Sequence, residues 1–321
     1  GPDNIYVCDN NRVLRWDGSL WSIFCENEEW SFRDIWGFAE DDFYVRRGDG
    51  MIEKFNGAAW ADWLQLPISN MNSMMYFSAQ SIFTVSNNGK INRMDGTEWH
   101  LDHRNIIGAT KSDSLISPDG RVYAMASNGK FHFFNEMAWS ELQTDCPHEA
   151  RSFWVDSMGS IYICGDAGMI RKISDTTQED MVTGTTEALY DIWGVSSDSI
   201  YAVGDSGTVL HYNGNQWQPM TAGLADFRTV WGDSDNTVYA GGTTGSFARF
   251  DGTSWSYDDT SAISETVVDI WGVDEDDLYA IAGNNSGFDP GQIYHWDGND
   301  WSLLIDDVEK AFHSIIGFAA D

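Results

Sequence analysis

Hydrophobic and polar positions alternate along this chain in short bursts. Residues 199–212 read SIYAVGDSGTVLHY, two apolar-rich runs parted by a Gly-Asp-Ser-Gly turn. Short runs of this kind, rich in β-branched and aromatic residues and bounded by Gly and Asp, predict β-strands. A brief apolar run, DIWGV, stands before them, and a segment led by Trp217 follows an Asn-Gly turn. No stretch sustains helical periodicity, so an all-β chain is expected.

The same grammar recurs. Related segments begin at Asp34, Ser73, Asp113, Ser152, Asp191, Thr229, Asp269 and Ser314, at intervals of 39, 40, 39, 39, 38, 40 and 45 residues. DIWG itself occurs at Asp34–Gly37, Asp191–Gly194 and Asp269–Gly272. A period near 40 residues with four strands per copy is the signature of a β-propeller, in which each copy is one blade. The strands are lettered a to d, from the innermost outward. The final residues, SIIGFAAD, match strand a, and residues 3–25 match strands b, c and d. The expected fold is therefore an eight-bladed β-propeller with four antiparallel strands per blade. Its ring closes through three N-terminal strands and one C-terminal strand, which removes the free sheet edges of an open array. Residues 3–321 then form one domain, and Gly1-Pro2 reads as the scar of a cleaved tag.

Three local expectations follow from the repeat. The Trp of DIWG packs between neighbouring blades, and its Gly permits close backbone approach. The Asn-Gly and Asp-Gly pairs between strands c and d form tight turns with positive φ at both central residues. Arg15, Lys54, Arg93, Lys172, His211, Arg249 and His295 recur near the end of strand c, where Phe133 is the exception. They read as repeated inter-blade contacts, with the two histidines structural and not metal ligands.

The charge narrows the partners. Fifty acidic residues against 18 basic ones give a net charge of −32, which repels nucleic acid and anionic lipid. No apolar run is long enough to cross a membrane as a helix. The acidity fits a salty or divalent-rich medium, or a cationic partner.

The pattern W-G, Y-A-V-G, D-G-x-x-W resembles the repeats of bacterial cell-surface and secreted β-propeller proteins over almost the whole chain. The D-G-x-x-W hairpins at Asp17–Trp21, Asp95–Trp99, Asp251–Trp255 and Asp297–Trp301 also resemble a shortened Asp-box of sialidase-like propellers, where it is a folding element. The resemblance implies the fold and an extracellular, cell-surface or periplasmic setting, and it carries over no catalytic residue.

Candidate chemistry lies in what breaks the repeat. Fourteen of 16 Trp take repeated positions, which leaves Trp30 and Trp63. Both fall at or after the ends of strand d, and with Phe288 and Asp289 of the Gly283–Gly291 insertion they are the candidate ligand contacts. The d–a and b–c connections share one face, here the top. The strand-a carboxylates Asp34, Asp113, Asp191 and Asp269 alternate with hydroxyls. They are the only metal candidates, with calcium as the ion, though an eight-bladed channel is too wide for opposite carboxylates to share one. Capping of a neighbouring backbone N–H is the competing role. Arg47-Gly48-Asp49 matches an integrin-binding tripeptide but aligns with b–c turns elsewhere, so turn chemistry is the preferred reading. Cys8–Cys25 and Cys146–Cys164 are the expected disulfides, against four free thiols, and the first pairing strains the reach between strands b and d. No hydrolase, metalloprotease, nucleotide-binding or haem-attachment motif is present, and no cofactor is called for. The expected function is a non-catalytic extracellular binding or adhesion module for a protein or a glycan, monomeric in isolation and part of a larger chain. The alternatives are a polysaccharide hydrolase or lyase with loop-borne carboxylates, and an architectural domain of a surface protein.

Overall fold

The computed structural model describes the chain except residues 1–3, 10, 27–28, 66–70, 79–80, 87–89, 95–98, 105–111, 117–120, 127–129, 135–138, 143, 175–176, 224, 259–262, 284–290, 308–313 and 319–321. Among the described residues it holds eight four-stranded sheets, and its only helical pieces are three 3-10 turns of three residues each. Wherever register is described, paired strands run antiparallel.

The first sheet joins Asn4–Cys8, Arg12–Trp16 and Trp21–Glu26 to Ser314–Phe318. Ser314–Phe318 pairs with Asn4–Cys8 from Phe318 opposite Asn4 to Ser314 opposite Cys8. The second sheet is Phe32–Ala39, Asp42–Arg47, Met51–Phe55 and Trp60–Gln65. The third to eighth sheets follow in the same order. Their a strands are Met71–Ser78, Ser112–Ile116, Ala150–Val155, Leu189–Ser196, Phe227–Ser234 and Val267–Asp274, and their d strands begin at Trp99, Trp139, Gln178, Trp217, Trp255 and Trp301.

The described chain falls into two compact units. One comprises Gly1–Ser69, Gly241–Phe247 and Asp258–Asp321, and the other Asn70–Ala240 and Ala248–Tyr257. In the former, the first sheet packs against the eighth through Ile5, Val7, Tyr279 and Ile281, and against the second through Tyr6, Phe43 and Val45. In the latter, the fourth, fifth, sixth and seventh sheets pack in series. Covered on both faces, strands b such as Ser199–Gly204 and Asp277–Ala282 are buried at every residue, and the outer strand Trp217–Thr221 is largely exposed. That explains the nearly continuous apolar character of strand b, which a half-buried strand would not show.

Three local expectations are corrected. Four of the strand-c cations lie on the tyrosine of their own sheet, whereas Arg93 lies over Phe134 of the next sheet, 5.5 Å from its ring centre, as an inter-blade contact. Lys54, Lys172, His211 and His295 sit directly opposite Tyr44, Tyr162, Tyr201 and Tyr279. The histidine rings stack on theirs at 4.5 and 4.6 Å between centroids, and Lys54 Nζ lies 5.0 Å from the centre of Tyr44. Directly opposed antiparallel residues meet side chain to side chain, so these four pairings lie within a blade.

The strand-a glycine makes room for a side chain of the neighbouring sheet as well as for backbone, with the Thr237 carbonyl 3.0 Å from a Cβ on Gly232. A Cβ on Gly232 would lie 2.4 Å from the tip of the Trp193 indole, and one on Gly194 would lie 3.1 Å from that of Trp154. Trp154 of the fifth sheet and Trp193 of the sixth thus each reach the Gly of the next sheet, which accounts for Trp-Gly recurring there.

In the first, second, sixth, seventh and eighth sheets the c–d turns are four-residue loops capped by a side chain. Asp251 Oδ1 accepts the N–H groups of Thr253 and Ser254, both at 2.9 Å, and Asp17 and Asp297 do the same in their own turns. Only the glycine takes a left-handed conformation, as at Gly252 with φ 85°. These N–H donors hold the carboxyls of Asp17, Asp251 and Asp297 below the ordinary value. Their stabilisation is present above an ordinary aspartate pKa and is lost as pH falls through the lowered folded value. Asn56 and Asn213 make the same two bonds without a charge. Asp251→Asn is therefore expected to leave the melting temperature unchanged at pH 7 and to lose less of it than wild type below about pH 3.8, checked by thermal melts across pH 2–7.

Candidate functional site

The second sheet places a Trp and an Arg at one end. Phe32 lies opposite Arg47, so the connection carrying Trp30 and the b–c turn after Arg47 leave the sheet together. The Gly48 N–H donates to the Ser31 carbonyl at 2.6 Å, and a Cβ on Gly48 would lie 2.3 Å from Ser31 Oγ. This contact locks the two connections to each other. The Arg47 guanidinium then lies 4.0 Å from the centre of the Trp30 ring.

Arg47 is itself held fast. Its side chain is 8% exposed, and it donates to Asp49 at 2.7 and 3.2 Å, to Glu53 at 3.1 Å and to Asp62 at 3.5 Å. The Arg and Asp of the Arg-Gly-Asp tripeptide are thus spent on one another, as turn chemistry requires. Trp30 remains 37% exposed. An indole with one side clamped by a fixed guanidinium has little freedom left to lose when a partner covers the rest. Three carboxylates around one guanidinium leave its surroundings negative.

Trp63 lies elsewhere. It is the extra residue of a bulge between Ile52 and Glu53 on the paired strand, and its ring packs on Tyr44 at 4.9 Å. Tyr44 and Arg47 lie on opposite faces of their strand, since Phe43 and Val45 face the first sheet. The two irregular tryptophans therefore do not share one surface. Phe288 and Asp289 lie outside the described residues.

The strand-a carboxylates can be followed at Asp191. Its Oδ1 accepts from Ser152 Oγ at 2.8 Å and from the Ile192 N–H at 2.9 Å, and its Oδ2 accepts from the Val230 N–H at 2.9 Å. Thr229 adds a side-chain bond. One carboxylate thus links the fifth, sixth and seventh sheets, and at Asp191 the neighbouring Ser152 and Thr229 hydroxyls serve as donors to it. Enclosure raises its pKa, against the pull of the Val230 N–H and the other donors. Asp269 is exposed, and of the Asp34 and Asp113 side chains nothing is described. Among the described residues, no group of three metal-ligating side chains is brought together.

One feature of this end lay outside the sequence reading. Tyr190 is a bulge residue between Leu189 and Asp191, and the guanidiniums of Arg151 and Arg228 lie 4.6 and 3.7 Å from its ring centre. Arg151 pairs with Asp166 at 2.6 Å and Arg228 with Asp205 at 2.9 Å. The strand bulges turn these residues toward each other. The only signal in the sequence is their shared place, one residue before Ser152, Asp191 and Thr229.

No disulfide joins the four cysteines in this structure. Val13 stands between Cys8 and Cys25, paired to each, which puts them two strands apart. Cys164 is buried in the core between the fifth and sixth sheets, where its thiol donates to the Leu189 carbonyl, while Cys146 packs against the core between the fourth and fifth. Burial pushes the Cys25 thiol up to about 12 and raises that of Cys146. Neither is a thiolate at neutral pH.

No protein-family model matches the chain, and no curated protein matches it in sequence. Solved structures do. YCF48 bound to D1 peptide is 13% identical with a TM-score of 0.57, covering 86% of this chain and 91% of that one. The C-terminal WD40 domain of Sif2 is 10% identical with a TM-score of 0.62, covering 87% and 89%. The extracellular domain of the putative hybrid two-component system BT3049 from B. thetaiotaomicron is 10% identical with a TM-score of 0.52, covering 95% of this chain and 46% of that one. At such identities the likeness defines the class, a β-propeller repeat protein, and extends no further. Among the described residues, no helix is long and apolar enough to cross a membrane.

Proposed function

We propose that this chain is an eight-bladed propeller, closed through its N- and C-terminal strands, that works outside the cytoplasm as a non-catalytic binding module. Its ligand is a basic peptide segment of a partner protein, taken on the top face at Trp30. The observation that carries the reading is the half-exposed Trp30 clamped on Arg47 within a ring of carboxylates. Fixed aromatic side chains are typical anchors of binding interfaces, and the surplus of Asp49, Glu53 and Asp62 over Arg47 favours a cationic segment. The YCF48 likeness adds a propeller that holds a peptide, and the BT3049 likeness adds an extracellular one. The pairing of Ser314–Phe318 with Asn4–Cys8 supports the closure.

The reading is tested by selecting a random peptide library displayed on phage against the wild-type protein and against Trp30→Ala. Lys- and Arg-rich peptides are expected to enrich on the wild type and to lose binding on the variant. Enriched peptides that are acidic, or that bind both proteins equally, contradict it.

A further inference from the structure

The a–b turn of the fifth sheet holds a carboxylate of which only one oxygen is engaged. Asp156, one residue beyond strand Ala150–Val155, is 1% exposed. Its Oδ1 accepts the N–H groups of Met158 and Ser160 at 2.9 and 2.8 Å. Its Oδ2 is buried and accepts no hydrogen bond, and among the described residues no basic side chain pairs with it. Other enclosed carboxylates are compensated. Asp9 pairs with Arg12 at 2.6 Å and Asp277 with His295 at 2.7 Å, while both oxygens of Asp191 accept hydrogen bonds.

A second unmet group lies beside it. Tyr162 stands opposite Trp154, two residues before Asp156, so all three side chains share the face that meets the sixth sheet. Tyr162 is fully buried, and its hydroxyl has no hydrogen-bond partner. The equivalent hydroxyl of the sixth sheet, on Tyr201, donates to the Asp235 carbonyl at 3.1 Å. Burial raises the Tyr162 pKa, and Asp156 and Asp198 add to the rise, which places both carboxylates near the hydroxyl. Asp198, in the a–b turn of the sixth sheet, is exposed. The repeat does not require this arrangement. Two residues beyond the strand-a Trp stand Val195 in the sixth sheet, Val273 in the eighth and the exposed Asp233 in the seventh.

Charge decides what would satisfy the pair. An ionised carboxylate taken out of water is costly unless a positive charge meets it. A buried water could donate to Oδ2 and accept from the phenol, but it would leave the charge unopposed. Lys172 lies over the Tyr162 ring, 5.2 Å from its centre, and makes no ion pair with Asp156. A hard cation meets both needs, because it takes carboxylate and neutral oxygens together and fills its remaining positions with water. We infer that Asp156 Oδ2 and the Tyr162 hydroxyl, with Asp198 at the mouth, form a binding site for a divalent cation that braces the fifth sheet against the sixth.

The test is calorimetric titration of Ca2+ and of Mg2+ into the chelator-stripped full chain, with thermal melts before and after. About 0.5 M NaCl in the buffer screens diffuse attraction to a chain of net charge −32. One ion per chain is expected to bind saturably and to raise the melting temperature. Asp156→Asn keeps an oxygen for the Met158 and Ser160 N–H groups, and Tyr162→Phe keeps the ring in the core. Each should weaken the ion at least about tenfold, the scale of loss when even a supporting group of a metal site is removed. Trp30→Ala should bind the ion as wild type does, so this site and the peptide site stand or fall separately. No saturable binding of either ion, the result expected if water fills the space, overturns the inference. So does wild-type affinity in both variants.

Discussion

Asp191→Ala is expected to destabilise the domain by about 3 kcal/mol or more at pH 7, with a clear fall in melting temperature. The substitution removes the acceptor shared by Ser152 Oγ, the Ile192 N–H, the Val230 N–H and the Thr229 side chain. It leaves several donors enclosed without a partner, each costing about 1–3 kcal/mol. The penalty should also depend on pH. Enclosure raises the folded-state pKa of Asp191. The wild type therefore gains stability below an ordinary aspartate pKa, and that gain is lost as pH rises through the raised folded value. Ala has no such dependence, so the gap between the two proteins should be wider near pH 3.5 than at pH 7. Chemical denaturation at the two pH values measures it, and a gap that narrows on acidification would contradict the assignment.

The second large effect is expected from truncation after residue 313. Ser314–Phe318 is strand a of the first sheet, paired with Asn4–Cys8 at five positions. Without it, the edge of Asn4–Cys8 loses its partner, although Ile5 and Val7 lie in one core and Tyr6 and Cys8 in another. In a closed ring, loss of one strand opens the whole array, so the truncated chain should unfold at a much lower denaturant concentration or aggregate on expression. A truncated protein that melts at the wild-type temperature would show that the strand is an accessory and that closure is not through it.

Much of the fold was legible because propeller strands are short and punctuated. Gly-Asp-x-Gly, Asp-Gly and Trp mark the strand ends in fixed order, and the pairing of Ser314–Phe318 with Asn4–Cys8 could be expected from matching sequence copies alone. What escaped depended on side-chain direction. The strand-c cations looked like inter-blade contacts because they recur, yet recurrence cannot say which neighbour a side chain meets. Register places Lys54 on Tyr44 within one sheet. Gly232 looked like a backbone requirement, and only the position of Trp193 reveals the side chain it accommodates.

The site was legible in part for the same reason. Trp30 stood out as a break in the repeat, but the guanidinium that fixes it belongs to a turn 17 residues later, brought near by the pairing of Phe32 with Arg47. Trp63 stood out equally, and a bulge turns it onto Tyr44 on the other face. The arginines around Tyr190 had no motif, because a strand bulge has no fixed residue signature.

The proposal that Trp30 anchors a peptide is tested most directly by calorimetric titration of one selected Lys- or Arg-rich peptide into wild type, Trp30→Ala and Trp63→Ala, with thermal melts of all three. Trp30→Ala should weaken binding by about 1–2 kcal/mol, roughly five- to thirtyfold in Kd, with a melting temperature close to wild type. Trp63→Ala, whose ring packs on Tyr44, should lower the melting temperature and leave Kd unchanged. An unchanged Kd for Trp30→Ala together with a large loss of stability would return Trp30 to a structural role and contradict the proposal.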